Sequence, residues 1–154
     1  MSYDANGNIQ MLNRAGIDQL TYIYAEGNKL RSVSDASGNA AGFADGNTSG
    51  DDYEYWPDGS LKKDLNRGIT LIEYNLLKLP KRISFSTGKV VSYTYTASGQ
   101  KLRMSSSTGE VRDYLTVSEY VNGQFAFMNT PQGRLYSPGV YEYFHKDHLG
   151  NIRA

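Results

Sequence analysis

Apolar and polar residues along this chain alternate over short stretches with a period of two. Tyr22/Tyr24, Tyr53/Tyr55 and Tyr93/Tyr95 each lie two residues apart, which puts both rings of a pair on one face of a pleated strand. Leu61-Lys-Lys-Asp-Leu65 and Leu102-Arg-Met104 mix apolar and charged positions as a half-buried return strand requires. Between the two kinds of stretch lies turn chemistry. In Pro57-Asp58-Gly59, Pro57 presets φ, Asp58 tolerates the bridge region and Gly59 supplies a positive φ. Each such unit predicts a β-hairpin. Residues 18–26 and 71–79 also offer apolar faces to a helix, but β-branched and aromatic enrichment, brevity and frequent Gly favour strands.

The hairpin pattern repeats. A Tyr is followed three or four residues later by Gly and then by Leu or Ile: Tyr3-Asp-Ala-Asn-Gly7-Asn-Ile9, Tyr24-Ala-Glu-Gly27-Asn-Lys-Leu30, Tyr55-Trp-Pro-Asp-Gly59-Ser-Leu61 and Tyr95-Thr-Ala-Ser-Gly99-Gln-Lys-Leu102. The second copy has one residue fewer before Gly, and the second and fourth have one more after it. Tyr74-Asn-Leu-Leu-Lys-Leu-Pro-Lys-Arg-Ile83 fills a similar slot without Gly, with Pro80 as the interruption. The lead tyrosines are spaced 21, 31, 19 and 21 residues apart, a period of about twenty with one insertion of about ten. The insertion is residues 35–52, where Gly38, Gly42, Gly46 and Gly50 stand among Ser, Asn, Asp and Ala, the composition of an extended surface loop. A lone hairpin is marginal in water, so successive units are expected to pair side by side over a Tyr-rich face. The predicted fold is all-β, with tandem antiparallel hairpins forming an extended, curved sheet or part of a spiral shell.

Composition narrows this picture only in places. The chain of 154 residues carries thirteen Tyr, so much of any core is aromatic. Sixteen Lys and Arg balance sixteen Asp and Glu, and no global field directs the chain to nucleic acid or an anionic membrane. Without Cys there are no disulfides or thiolate metal sites, which leaves the redox compartment open. No stretch is long and apolar enough to span a membrane, and the N-terminus lacks the pattern of an export signal. Because it opens inside one motif and stops soon after another, the chain reads as a segment of a longer polypeptide.

Read together with the terminal Tyr141-Glu-Tyr-Phe-His-Lys-Asp-His-Leu-Gly-Asn-Ile-Arg153, these units resemble the Rhs and YD-repeat family of bacterial proteins. Asp147-His148-Leu149-Gly150 with Arg153, after an aromatic-His stretch, looks like that family's signature near the end of its core. The resemblance spans nearly all of residues 1–154, about five to seven hairpin units. It includes Asp113-Tyr114, Tyr120-Val-Asn-Gly123-Gln-Phe125 and a turn at Thr130-Pro-Gln-Gly133-Arg-Leu135, and it leaves out the Gly-rich insertion. It implies a large secreted or cell-surface protein whose hairpin strip winds into a shell that can enclose a variable C-terminal toxin domain. The partners it implies are the rest of the parent chain and that domain. No toxin is assigned, and no residue here matches the family's self-cleaving aspartates.

No enzymatic constellation emerges, and no cofactor is expected. His145 and His148 flank Asp147, but a zinc site needs three or four ligands, so these residues are read as organising a turn with Gly150, Arg153 pairing with a carboxylate. The glycines of the insertion lack the ending and setting of a phosphate loop, and no Ser sits in a nucleophile elbow. Lys78, Lys81 and Arg82 read as an edge-strand guard rather than a nucleic-acid site. Trp56, beside a hairpin tip, is the best candidate for stacking on a sugar ring, though packing on a neighbouring hairpin is the simpler role. Two functions remain: a non-enzymatic structural wall segment, and a carbohydrate- or partner-binding module using exposed Tyr and Trp. Open sheet edges add an expectation of self-association.

Overall fold

The computed structural model describes residues 1–153, and its regular structure is almost all antiparallel β. A four-stranded sheet takes β1 (Ser2–Tyr3), β2 (Ile9–Arg14), β3 (Asp18–Tyr24) and β4 (Leu30–Asp35) in chain order. An eleven-stranded sheet follows, also in chain order. Its strands are β5 (Tyr53–Tyr55), β6 (Leu61–Asp64), β7 (Ile69–Tyr74), β8 (Pro80–Phe85), β9 (Val90–Tyr95), β10 (Lys101–Ser106), β11 (Val111–Leu115), β12 (Ser118–Val121), β13 (Gln124–Thr130), β14 (Gly133–Tyr136) and β15 (Val140–Tyr143). A last pair joins β16 (His145–Lys146) to β17 (Ile152–Arg153). Sheet neighbours are sequence neighbours throughout, so the predicted all-β run of hairpins is the fold observed. Residues 18–24 are strand, followed by a single 3-10 turn at Glu26–Asn28, and residues 71–79 are strand and turn, so neither stretch forms an α-helix.

One turn length, with one closing hydrogen bond, recurs at every lead position. The residue after the lead slot donates its amide to the carbonyl four residues on, at 2.8–2.9 Å, in the turns starting at Asp4, Ala25, Trp56, Asn75, Thr96 and Asp147. The fourth residue of the turn adopts positive φ: Gly7, Asn28, Gly59, Lys78, Gly99 and Gly150, at 83°, 60°, 87°, 61°, 88° and 84°. In five of the six this is the three-residue hairpin loop, a type I turn closed by a left-handed residue, whose amide donates to the carbonyl of the first turn residue at 2.9–3.1 Å; the turn at Ala25 differs, with Gly27 and Asn28 both at positive φ, 69° and 60°. At Gly7 and Gly59 an added Cβ would meet nothing within 4 Å, so backbone conformation, not space, selects glycine. The frame has constant length. Tyr3 pairs with Ile9, Tyr24 with Leu30, Tyr55 with Leu61 and Tyr95 with Lys101, always six residues apart. The uneven spacing read from the sequence therefore lies in residue type alone: Asn28 holds the slot assigned to Gly27, and Lys101, not Leu102, begins the return strand. In the unit without Gly, Lys78 turns the chain and Pro80 opens β8.

The chain falls into two compact units, a division the repeat pattern does not mark. Unit 1 comprises Met1–Glu73 and Ile83–Gly88, and unit 2 comprises Tyr74–Arg82 and Lys89–Ala154. In unit 1, β3 shows the predicted alternation: Asp18 and Leu20 are buried and Tyr22 and Tyr24 half-buried, while Gln19, Thr21 and Ile23 face solvent. Leu20, Val33 and Ile72 are its covered apolar side chains, and Val91 is that of unit 2, with Tyr93, Met104, Tyr114 and Phe127 half-buried around it in sequence. Each fully covered side chain of this size contributes about 1.5–3 kcal/mol, so the apolar core is thin.

The insertion is the surface loop its composition predicts: residues 36–52 carry no regular structure and are mostly exposed, and hydrogen bonds stitch them to unit 1. Ser37 Oγ and Asn39 Nδ2 donate to the carbonyls of Ile17 and Gly16 at 2.9 and 2.5 Å, and the Phe43 amide donates to Asp18 Oδ1 at 2.6 Å. The Asn47 amide then donates to Asn66 Oδ1 at 3.0 Å. A Cβ on Gly42 would stand 2.0 Å from Asp18 Oδ1 and 2.7 Å from the Ile17 carbonyl, and one on Gly46 would stand 2.5 Å from the Asn66 carbonyl. Two of the four glycines thus permit close contact, where a surface loop would need only flexibility.

Candidate functional site

The terminal residues 145–151 are the first place to look for chemistry, and their geometry is that of the repeat turn. Asp147 accepts from the amides of Leu149 and Asn151, both at 2.9 Å, and from Asn151 Nδ2 at 3.1 Å. Asp4 does the same at the other end of the sequence, accepting from the amides of Asn6 and Asn8 at 2.9 and 2.8 Å and from Asn8 Nδ2 at 2.8 Å. The stretch 147–151 is therefore superposable in role on 4–8, with Lys146 in the tyrosine slot and paired to Ile152. The Asn8 side-chain hydrogen bond, helped by backbone amides and opposed by partial desolvation, holds the Asp4 carboxyl below its ordinary pKa. His145 and His148 are exposed, and among the described residues no group of three or more His, Asp or Glu is placed to hold a metal ion. Arg153 lies in β17, and its predicted carboxylate pairing falls outside the described side chains. Sequence reasoning missed Asn8 and Asn151, whose signal was the repeated Asp-Xaa-Xaa-Gly-Asn.

Two lead tyrosines, Tyr55 and Tyr95, fasten one hairpin to the one before it. Tyr55 Oη donates to the carbonyl of Leu30, the first residue of β4, at 2.9 Å, and Tyr95 Oη donates to that of Pro80, the first residue of β8, also at 2.9 Å. Half-burial of the ring with its hydroxyl on a backbone acceptor suits a residue that is apolar with one polar tip. Burial pushes the hydroxyls of Tyr24, Tyr53, Tyr55, Tyr95 and Tyr114 up from their ordinary pKa, so all stay protonated at neutral pH. Tyr24 and Tyr74 are likewise half-buried, whereas Tyr3 is 55% exposed. Trp56 is half-buried; its Nε1 donates to the Ile72 carbonyl at 2.9 Å and Lys62 Nζ stands 5.0 Å from its ring. It packs on the neighbouring hairpin.

Unit 1 holds a set of buried carboxylates that the sequence did not reveal. Asp18 and Asp52 are each 1% exposed and Asp64 is 6% exposed. Arg14 pairs with Asp18 on the adjacent strand. Asp52 Oδ2 accepts from the Val33 amide at 2.7 Å and Oδ1 from Asn47 Nδ2 at 2.9 Å, while the Asp52 amide donates to the Arg31 carbonyl at 3.0 Å. Asp52 thus joins β4 to β5 where no regular ladder does. Asp64 caps the short turn Leu65–Arg67 by accepting from the Arg67 amide at 3.1 Å. All three carboxylates are taken up by backbone or side-chain donors, the arrangement of structural groups rather than of an acid-base pair.

In unit 2 cations lie on rings. Lys101 Nζ stands 5.6 Å from Tyr93 and 4.6 Å from Tyr114, and the Arg134 guanidinium stands 4.4 Å from Phe127 and 5.7 Å from Phe144. Arg112 bridges Glu110 and Glu119 at 2.5 and 2.7 Å. A shallow hollow of about 520 Å³ opens beside Leu102, Leu115 and Tyr120; its charged lining is the mutually paired Arg103 and Asp113, at 2.5 Å. Nothing in it couples a nucleophile to a base. No protein-family model matches this chain, and no curated protein sequence matches it.

Proposed function

We propose that this chain is a non-enzymatic wall segment of a large secreted or cell-surface bacterial protein of the Rhs and YD-repeat kind, whose hairpin strip encloses or displays a variable C-terminal toxin domain. The observation that carries the reading is the one turn frame at six lead positions, with the family-like Asp147-His148-Leu149-Gly150 as its last copy. The conspicuous polar side chains act inwardly: they close turns, fasten neighbouring hairpins or stitch the insertion down. Such a segment serves by its shape, with the rest of the parent chain and the enclosed domain as its partners.

A second reading, a glycan-binding module, draws support from the exposure of Tyr3 at 55% and Tyr143 at 71%. Trp56, its best sequence candidate, is instead occupied by Lys62 and the Ile72 carbonyl. One pair of experiments separates the two. Limited proteolysis of the full gene product that contains this chain should leave a resistant body that retains the downstream domain, and a glycan array should stay blank. Recovery of residues 1–154 as a free protein that binds a defined oligosaccharide, with loss on Tyr143→Ala, would reverse the preference.

A further inference from the structure

The chain's zero net charge conceals a polarity. Unit 1 carries six Lys and Arg against eleven Asp and Glu, net −5, and unit 2 carries ten against five, net +5. Three of those ten, Lys78, Lys81 and Arg82, cluster in sequence and are exposed, and from Tyr74 to Arg82 there is no acidic residue. β8 lies between β7 and β9 in its sheet, so these cations guard no open edge, the role their sequence suggested.

The turn they flank breaks the habit of the frame. Its second and third residues are Leu76, fully exposed, and Leu77, 49% exposed. The other copies put Ala5-Asn6, Glu26-Gly27, Pro57-Asp58, Ala97-Ser98 and His148-Leu149 there, and none has two large apolar residues. Folding does not ask for them. Asn75 closes the turn with its own side chain, Oδ1 accepting from the amides of Leu77 and Leu79 at 2.9 and 3.0 Å. Leu79 and Leu77 lean toward the next turn, where a Cβ on Gly99 would stand 3.3 and 3.9 Å from their Cδ1 atoms, whereas Leu76 stands wholly in solvent. Lys78 then holds, at φ 61°, the slot that four of the other five copies give to glycine.

We propose that this turn is a peripheral membrane contact: Leu76 and Leu77 dip into the boundary between headgroups and acyl chains of an anionic bilayer, and Lys78, Lys81 and Arg82 meet its phosphates. The inference does not depend on the family reading. An anionic lipid surface takes up both halves of the feature, burying the apolar tip and attracting the cations beside it. An apolar pocket on a protein partner would engage the leucines alone and leave the run of cations without acid unexplained. The cations act through their combined field and need no fixed contacts. Two leucines bury little, so the attachment is weak, reversible and salt-sensitive.

Flotation of the intact chain with lipid vesicles tests this. At about 20 mM salt it should bind phosphatidylcholine vesicles containing about 30% phosphatidylserine, and bind pure phosphatidylcholine at least about tenfold less. At about 500 mM salt the partition coefficient on the anionic vesicles should fall about tenfold. Leu76→Ser with Leu77→Ser should weaken that binding at least about tenfold, and Lys81→Gln with Arg82→Gln by about the same factor. Lys78→Gly supplies the residue the frame ordinarily uses, so it should keep the fold and still weaken binding about fivefold. Circular dichroism with Trp56 fluorescence checks that each variant folds. Insertion is read separately with Leu76→Trp, whose emission, taken as the difference from the wild-type chain, should shift to the blue on the anionic vesicles. A wild-type chain that ignores anionic vesicles, a double leucine variant that binds them as well as wild type, or an unshifted Leu76→Trp emission overturns the proposal.

Discussion

Units 1 and 2 use the same hairpin frame and secure it differently. Unit 1 has the insertion, all three buried carboxylates and three of the four buried apolar residues, Leu20, Val33 and Ile72. Among its described residues unit 2 has no insertion, one buried apolar residue, Val91, and Lys101 and Arg134 each set against two aromatic rings, where Lys29 and Lys62 of unit 1 each meet one. A repeat that fixes only turn length and a lead ring leaves the covering of its faces to local invention. In unit 1 the buried carboxylates Asp18, Asp52 and Asp64 are each bonded to donors, which makes each one costly to remove. In unit 2 cations and ion pairs remain part-exposed, where any single one contributes little.

The sharpest way to break this contrast is Asp52→Ala, which orphans the buried Val33 amide and frees Asn47. It should cost about 3 kcal/mol, read in urea by Trp56, the sole Trp and a reporter on unit 1. A loss under about 1 kcal/mol would mean the insertion is not a fastening. Next comes Gly42→Ala, whose methyl group must displace the Ile17 carbonyl or Asp18 carboxylate, at an expected cost of about 2 kcal/mol by the same assay. Smaller and equal effects should follow Tyr55→Phe in unit 1 and Tyr95→Phe in unit 2, about 1 kcal/mol each, because each removes one hydroxyl bond of 2.9 Å to a strand-opening carbonyl. Unequal losses, compared by amide hydrogen exchange in each unit, would show that the shared frame is not equally used.

The mildest effect should be on acidification. Asp4, Asp35 and Glu54, all in unit 1, have pKa values below their ordinary 3.8, 3.8 and 4.5 through side-chain or backbone hydrogen bonds: from Asn8 first for Asp4, Gln19 for Asp35 and Lys62 for Glu54. Lowered folded-state values mean these groups stabilise the fold above the ordinary pKa, and the contribution drains away as pH falls through and below that range. The arginines of unit 2 whose pKa values are raised, Arg103, Arg112 and Arg134, by the hydrogen bonds they donate to Asp113, Glu110 and Tyr136 respectively, stay charged throughout. Amide signals of unit 1 should therefore broaden before those of unit 2 in an NMR titration from pH 6 to pH 3, an interval of about three pH units spanning these carboxylates. The reverse order would contradict the assignment of acid sensitivity to unit 1.

The sequence displayed the hairpins because period-two tyrosines and Gly-centred turns are local signals, written within seven residues of one another. It placed the insertion for the same reason. It did not show how the insertion is fastened, since Gly42 and Gly46 are small for the sake of residues 17, 18 and 66, a relation that exists only after folding. The slots of Asn28 and Lys78 were hidden because positive φ is rare for such residues and is imposed by the frame. Asp18, Asp52 and Asp64 looked like ordinary surface acids, and burial became tolerable only through donors brought from elsewhere. The opposite charges of the units were invisible in a balanced total.

The constant turn frame has a consequence for how such a chain changes over generations. Each loop closes on its own atoms within five residues and hands the chain on in the same direction and phase. A recombination joining one lead position to another therefore removes or adds whole hairpins and leaves the inward and outward faces of every remaining strand as they were. Outside the insertion, length in this protein is set by the number of hairpins.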